Sequence, residues 1–312
     1  MGKQKILIVG ADGQLAFDLI RVLKSDYDLT QARSADFDVS DVSRTRAFIA
    51  HAHPDIVINT AAYNKTEEAE HDPEKSFRVN ALGAHSVASA AAGIGAAIFH
   101  FSTNYVFDGT QEQYSEDDRP HPLNVYGASK YAGEMLVNIA NPRAWIIRTS
   151  NLFGAHQRGG GKGYNFVSLM LEKAKNGEEA RVVNDQFGSP TYAYDLALKV
   201  KELIERAIGP GIYHISNYGS CSWYEFAEKI FELSGVHPPA LIAISTAESG
   251  TLIKRPRTAA LVSKKLAAFG IAPLRPWQAA LAAYFQDPTP DVVVLIEALR
   301  FDWGDRDEKK KL

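Results

Sequence analysis

Short apolar runs rich in β-branched residues alternate with stretches whose apolar positions recur three and four apart, and this rhythm organises the first 150 residues. "KILIVG" ends in glycine and has the pattern of a strand buried on both faces. "QLAFDLIRVLK" follows at helical spacing, so residues 5–24 form one strand–turn–helix unit. "YDLTQA" predicts a second strand, "DIVINTAA" a later one, "SFRVNALGAHSVASAAA" an Ala-rich helix and "AAIFHFST" another strand. "SKYAGEMLVNIA" then reads as a helix and "AWIIRTS" as a strand. Strands separated by helices imply a parallel sheet with right-handed crossovers. The predicted fold class is therefore α/β, a Rossmann-like doubly wound sheet, with ligands bound outside the carboxyl ends of the strands. Asn59-Thr60, Ser102-Thr103 and Arg148-Thr149-Ser150 end three of those strands and fall on that rim.

From about residue 151 the pattern becomes irregular. "RVVNDQFGSPTYAYDLALKV" predicts a strand, a polar turn and a helix. "GIYHISNYGSCSWYEFAEKIFELSG" predicts a strand, a loop and an amphipathic helix capped by Ser222. The expected organisation is a nucleotide-binding domain over residues 1–150, to which later segments return. A smaller, discontinuous substrate lobe covers most of 151–300, and 301–312 form a polar tail. "GAHQRGGGKGYNFV" reads as a flexible loop near the substrate opening; Gly163 after Lys162 excludes a P-loop, which needs Ser or Thr there.

Composition narrows the classes. The chain has 312 residues, 46% of them apolar, enough for a large core. A net charge of −3 gives no electrostatic footprint for nucleic acid or an anionic membrane. No apolar stretch approaches the roughly 20 residues that cross a bilayer. The apolar run beginning at residue 6 comes too early for a secretory signal. The single cysteine, Cys221, excludes an internal disulfide framework and suits a reducing cytoplasm. His51 and His53, with no acid or thiol beside them, make no metal site, and no metal is expected.

The candidate chemistry lies in the turns. In "GADGQLA", Gly10 permits the tight turn and Gly13 lets the backbone approach a pyrophosphate held at the helix N-terminus. Ala16 stands at the third position, where glycine is usual. The second strand ends without the acid that would hold a ribose 2′-hydroxyl; "LTQARSADFD" offers Arg33 and Ser34, which could meet a 2′-phosphate. That favours NADP and leaves NAD open. "NVYGASK" places Tyr126 and Lys130 four apart, on one helix face behind a cap at Asn124. An ammonium beside a phenol would draw the phenol's pKa down towards working pH, as proton transfer requires. Thr103 could donate a hydrogen bond to the same substrate oxygen, and Asn80 could hold a water linking the lysine to solvent.

These blocks together resemble the extended short-chain dehydrogenases/reductases, and within them the dTDP-4-dehydrorhamnose reductases. The likeness runs through "GADGQLA", "VINTAAY", "FSTNYVFDGT", "NVYGASKYAGE", "RTSNLFG", "DQFGSPTY", "SWYEFA" and "KRPRTAAL". It implies NAD(P)H-dependent reduction of the 4-keto group of a nucleotide-linked 6-deoxy sugar, with Thr103, Tyr126 and Lys130 catalytic and Asn80 supporting them. It also implies that Gly10, Gly13, Gln14, Leu15, Asp38, Val39, Ala61, Ala62, Tyr63 and Lys130 meet the cofactor, beside Arg33 read above from the end of the second strand. Asn104, Tyr105, Val106, Asn151, Gln186 and Arg257 would lie on the substrate side, with Arg255 in the same "KRPR" segment. A homodimer fits the resemblance. Some relatives bind magnesium between subunits, and Asp18 falls near one such position, but it is not taken as a ligand.

Three stretches depart from the family. "STNY" has Asn104 where the family has Asp, "RTSN" has Asn151 where it has Trp, and "NKTEEAE" differs at residues 64–68. All three surround the expected sugar and leave the proton relay intact, so reduction is better supported than rhamnose as product. Asn104 cannot serve as acid or base, which argues against dehydration. Two alternatives remain: an epimerase that keeps its NAD bound, and a non-catalytic nucleotide-binding subunit like the one that regulates methionine adenosyltransferase.

Overall fold

Six parallel strands form the centre of the computed structural model, which describes residues 2–155 and 165–289. Residues 156–164 of the expected loop over 154–167 lie outside the described residues, as do residues 290–300 and the whole expected tail at 301–312. The central strands are β1 (Lys5–Val9), β2 (Asp28–Ala32), β3 (Ile56–Asn59), β4 (Ala97–Thr103), β5 (Ala144–Thr149) and, after β6 (Ala180–Val183) of another sheet, β7 (Gly211–His214). Their spatial order is β7-β5-β4-β3-β1-β2. The winding therefore reverses at β1, whose two neighbours are β2 and β3, and the strand ends at such a reversal are where this kind of sheet takes a ligand. Every residue of β3 and β4 is buried, as continuous apolar runs between two helical layers require.

Helix α1 (Gln14–Leu23) is too short to persist alone, but Leu15, Ala16, Leu19, Val22 and Leu23 line one face and are all buried. Burying each large side chain contributes about 1.5–3 kcal/mol, which holds the helix to the sheet. α2 (Val42–Ala52) was not legible as a helix, because only Thr45 and Ile49 of its face are buried. Its start is set by Asp41, whose side chain accepts from the Arg44 amide. The helix expected across residues 76–92 is broken. Residues Pro73–Phe77 are α-helical, Arg78–Gly83 make a π-turn, and α3 (Ala84–Gly93) resumes beyond it. The extra residue of such a turn turns polar groups out of the ordinary ladder, and here it presents the Asn80 side chain to its neighbours. α4 (Val125–Ala140) crosses the same face, capped by Asn124, which accepts from the Gly127 amide.

A second core gathers around Phe153, Tyr192, Phe226, Trp277 and Tyr284. It is built by α5 (Phe166–Asn176), α7 (Trp223–Ser234), α8 (Trp277–Phe285) and a parallel pair of β6 with β8 (Leu241–Ile244). Ser222 and Glu225 close a capping box at the start of α7. Between these elements the chain returns to the first core: α6 (Ala193–Glu205) puts Ala193, Leu196, Ala197 and Val200 into the cluster that also holds Leu15 and Leu19 of α1. β7 then pairs with β5 at the sheet edge.

Candidate active site at the carboxyl ends of the strands

The glycine turn sits at the reversal point. Gly10 has φ +81°, and a Cβ there would lie 2.7 Å from the Ala61 nitrogen, so only glycine lets the β1 turn pass the end of β3. The Gly10 and Ala11 amides both donate to the Ala32 carbonyl, which pins the turn to the end of β2. Gly13 caps α1 without a side chain, leaving the first-turn N–H groups of α1, including those of Gln14 and Leu15, for an anion. These residues fit a dinucleotide's pyrophosphate. Ala61 abuts the turn, and Arg33 directly follows β2. The Gln14 side chain accepts from Asn165, the cap of α5, 3.1 Å away. Asp38 binds the Ser40 amide and hydroxyl, and Val39 is buried against Gly83.

Thr103 and Tyr126 meet beyond this turn, and Lys130 follows one helical turn further along α4. Thr103 ends β4 and Tyr126 lies on the first turn of α4, with its phenol beside the Thr103 hydroxyl. Tyr105 packs edge-on against Tyr126 with ring centroids 5.8 Å apart. Burial pushes the Tyr126 phenol up to about 12, against a pull downward from Thr103. The expected lowering of the phenol by Lys130 is thus corrected. Desolvation of the phenolate outweighs the other influences, and Lys130 donates instead to the Phe101 carbonyl at 2.6 Å. Burial lowers Lys130 to about 8, with Glu134 opposing. The pair presents a neutral proton donor and a cation whose charge is lost just above neutrality.

Asn80 is held by protein groups. Its amide oxygen accepts from the Tyr63 nitrogen (2.8 Å) and its nitrogen donates to the Tyr63 carbonyl (2.9 Å) and to Ser129 (3.0 Å). Ser129 in turn donates to the Tyr126 carbonyl. Asn80 is therefore a clamp that joins the segment after β3 to the helix turn carrying the tyrosine. Ser129, one residue before Lys130, was missed in the sequence; only its place one helical turn after Tyr126 could have signalled it.

The substrate-side expectations divide. Asn104 is buried, donates to the Ala259 carbonyl at 3.1 Å and accepts from Thr103 at 3.3 Å, so it faces protein and orients the threonine. The Val106 side chain is wholly buried with Phe107, Tyr114 and Leu261, which leaves it no surface for a sugar. Gln186 is buried and donates to Thr246 at 2.9 Å. Tyr105 stays half-buried beside Tyr126. Asn151, at φ +44°, lies over Gly188. Arg257 is exposed, while Arg255 pairs with Glu67 of the departing segment. Among the described residues there is no cluster of acid, His and Cys side chains fit for a metal, and no helix long and apolar enough to cross a membrane.

Comparison with known proteins agrees with this geometry. The family described as the RmlD substrate binding domain matches residues 4–289. The spore coat polysaccharide biosynthesis protein SpsK of Bacillus subtilis is 41% identical over 91% of this chain and 97% of its own length. A dTDP-4-dehydrorhamnose reductase of Aggregatibacter actinomycetemcomitans is 38% identical over 89% of this chain and 97% of its own. The crystal structure of a dTDP-4-dehydrorhamnose reductase from Bacillus anthracis, in complex with NADP, superposes with a TM-score of 0.86 at 38% identity, covering 91% of this chain and 99% of that one. The chain belongs to the RmlD substrate binding domain family.

Proposed function

We propose that this chain is an NADP(H)-dependent reductase of the 4-keto group of a nucleotide-linked 6-deoxyhexose, of the dTDP-4-dehydrorhamnose type. The observation that carries the reading is the neutral Tyr126 phenol beside the Thr103 hydroxyl, on the same rim as the glycine turn. The relatives named for this reduction, matched along nearly their whole length, support it.

Gly10, Gly13 and the first turn of α1 would hold the pyrophosphate, with Ala61, Ala62 and Tyr63 bordering the nucleotide and Asp38 and Val39 beyond them. A bound nicotinamide would supply hydride. Thr103 donates a hydrogen bond to the C4 carbonyl oxygen and polarises it. Tyr126 gives its proton to that oxygen as the carbon becomes tetrahedral, so the ketone becomes an alcohol and the phenol is reprotonated from solvent. Lys130, cationic below about pH 8, favours the transient phenolate. Tyr105, Asn151 and Arg257 are the substrate-side candidates left with accessible surface. The sole cysteine, Cys221, is buried and unpaired, in keeping with a reducing cytoplasm.

The test is NADPH consumption against dTDP-, UDP- and GDP-linked 4-keto-6-deoxy sugars. Stoichiometric oxidation with one of them is expected. Binding of nucleotide without consumption would leave the regulatory-subunit alternative standing instead.

A further inference from the structure

Three donors at the end of β2 converge on one carboxylate. The Ser34 amide and hydroxyl donate to Asp12 Oδ2 at 2.9 and 2.8 Å, and Arg33 Nε lies 3.8 Å from Oδ1. The loop is shaped for this: the Arg33 amide is held by the Asp36 carboxylate at 2.7 Å, and Asp36 donates back to the Arg33 carbonyl. Asp12 itself belongs to the glycine turn, two residues past Gly10, whose amide is pinned to Ala32 at the end of the same strand. An amide, a hydroxyl and a guanidinium set around a point are the recognition set of a phosphate group. They stand where the 2′ position of an adenine ribose meets this fold. In this chain the anion they grip is an internal one.

We propose that Asp12 sets the nucleotide preference of this protein, by holding Ser34 and Arg33 in competition with the 2′-phosphate of NADPH. The inference rests on the cofactor seat described above. A nucleotide with a free 2′-hydroxyl brings no second anion and leaves the Asp12 contacts in place. One with a 2′-phosphate must displace the carboxylate or share donors with it at close range, and like charges repel. The chain thus favours NADPH over NADH less strongly than its Ser34 and Arg33 donors alone would allow.

The test is direct titration of NADPH and NADH, by quenching of tryptophan fluorescence, against the unaltered protein, Asp12→Asn and Asp12→Ala. Asn keeps an acceptor for Ser34 and removes the charge; Ala frees all three donors. The Asp12 and Arg33 side chains are both partly exposed, so they can change without disturbing the core. NADPH should bind about tenfold tighter to each variant while NADH changes less than about twofold, the size expected for losing one close like charge at a solvated site. Arg33→Ala should do the reverse, weakening NADPH alone. An unchanged NADPH-to-NADH ratio in both Asp12 variants, or weaker NADPH binding, overturns the role of Asp12 while the cofactor seat stands. Failure of the unaltered protein to bind either nucleotide overturns both.

Discussion

Burial holds the Tyr126 phenol neutral, at about 12, and draws Lys130 down to about 8, so both groups keep their protons below about pH 8. Tyr126 stays protonated throughout and is ready to give its proton. Lys130 loses its charge as pH rises through about 8, and with it the stabilisation of phenolate. kcat/KM should therefore be level below that point and fall by up to about tenfold per unit above it. Lys130→Arg should carry the fall to higher pH. Tyr126→Phe should cut turnover by about a hundredfold or more while fluorescence titration finds NADPH affinity unchanged; full turnover in that variant would remove the tyrosine from the chemistry. That Tyr126 and Lys130 share one helix was legible, because a spacing of four behind a cap fixes a shared face. The settings of Asn104, Val106 and Gln186 were not. The Asn104 amide finds Ala259, 155 residues away, and Gln186 finds Thr246, 60 residues away. Which way a polar side chain turns at a strand end depends on such distant partners, and no local pattern encodes them.

At the scale of elements, the position of α4 matters most, since it carries both groups of the proposed proton relay. Glu134, one turn beyond Lys130, meets Arg148 of β5 through two hydrogen bonds of 2.9 and 2.6 Å, with both side chains buried. Removing one partner leaves the other charge uncompensated, so Arg148→Met should cost about 3–5 kcal/mol in urea unfolding. Gly133 of the same helix has the Asn80 carbonyl where a Cβ would go. Gly133→Ala should push α4 off the π-turn, costing about 1–3 kcal/mol and lowering turnover with it. The π-turn itself was hidden in an Ala-rich stretch whose spacing reads as one regular helix. A second buried cluster ties α1 to the end of the described chain: Arg21 bridges Asp18 (2.9 Å) and Asp287 (3.0 Å), and Tyr192 also bonds Asp287. Burial raises Asp18 to about 7, and its Oδ2 has no hydrogen-bond partner. A raised carboxyl stabilises the fold fully below its unfolded value near 4 and loses that contribution as pH climbs through about 7. Asp18→Asn keeps a neutral side chain, so relative to the unaltered protein it should gain about 2 kcal/mol between pH 5 and pH 8 in melts at both values. Equal pH dependence in the two proteins would mean that Asp18 is ionised throughout.

At the scale of the molecule, the sheet order β7-β5-β4-β3-β1-β2 brings the glycine turn and the ends of β3, β4 and β5 to one rim. The alternation of strands and helices predicted this architecture. The return of α6 and β7 to the first core was harder to place, because their apolar faces would suit either core, and only packing against α1 and β5 decides between them. The account's central claim concerns where a hydride goes. The measurement that tests it most directly uses NADPH deuterated at the transferable nicotinamide position, with a dTDP-4-keto-6-deoxyhexose. The account predicts one deuterium at C4 of the sugar for each NADPH oxidised. Sugar epimerised with no net oxidation of nucleotide, or nucleotide bound and never consumed, would contradict it.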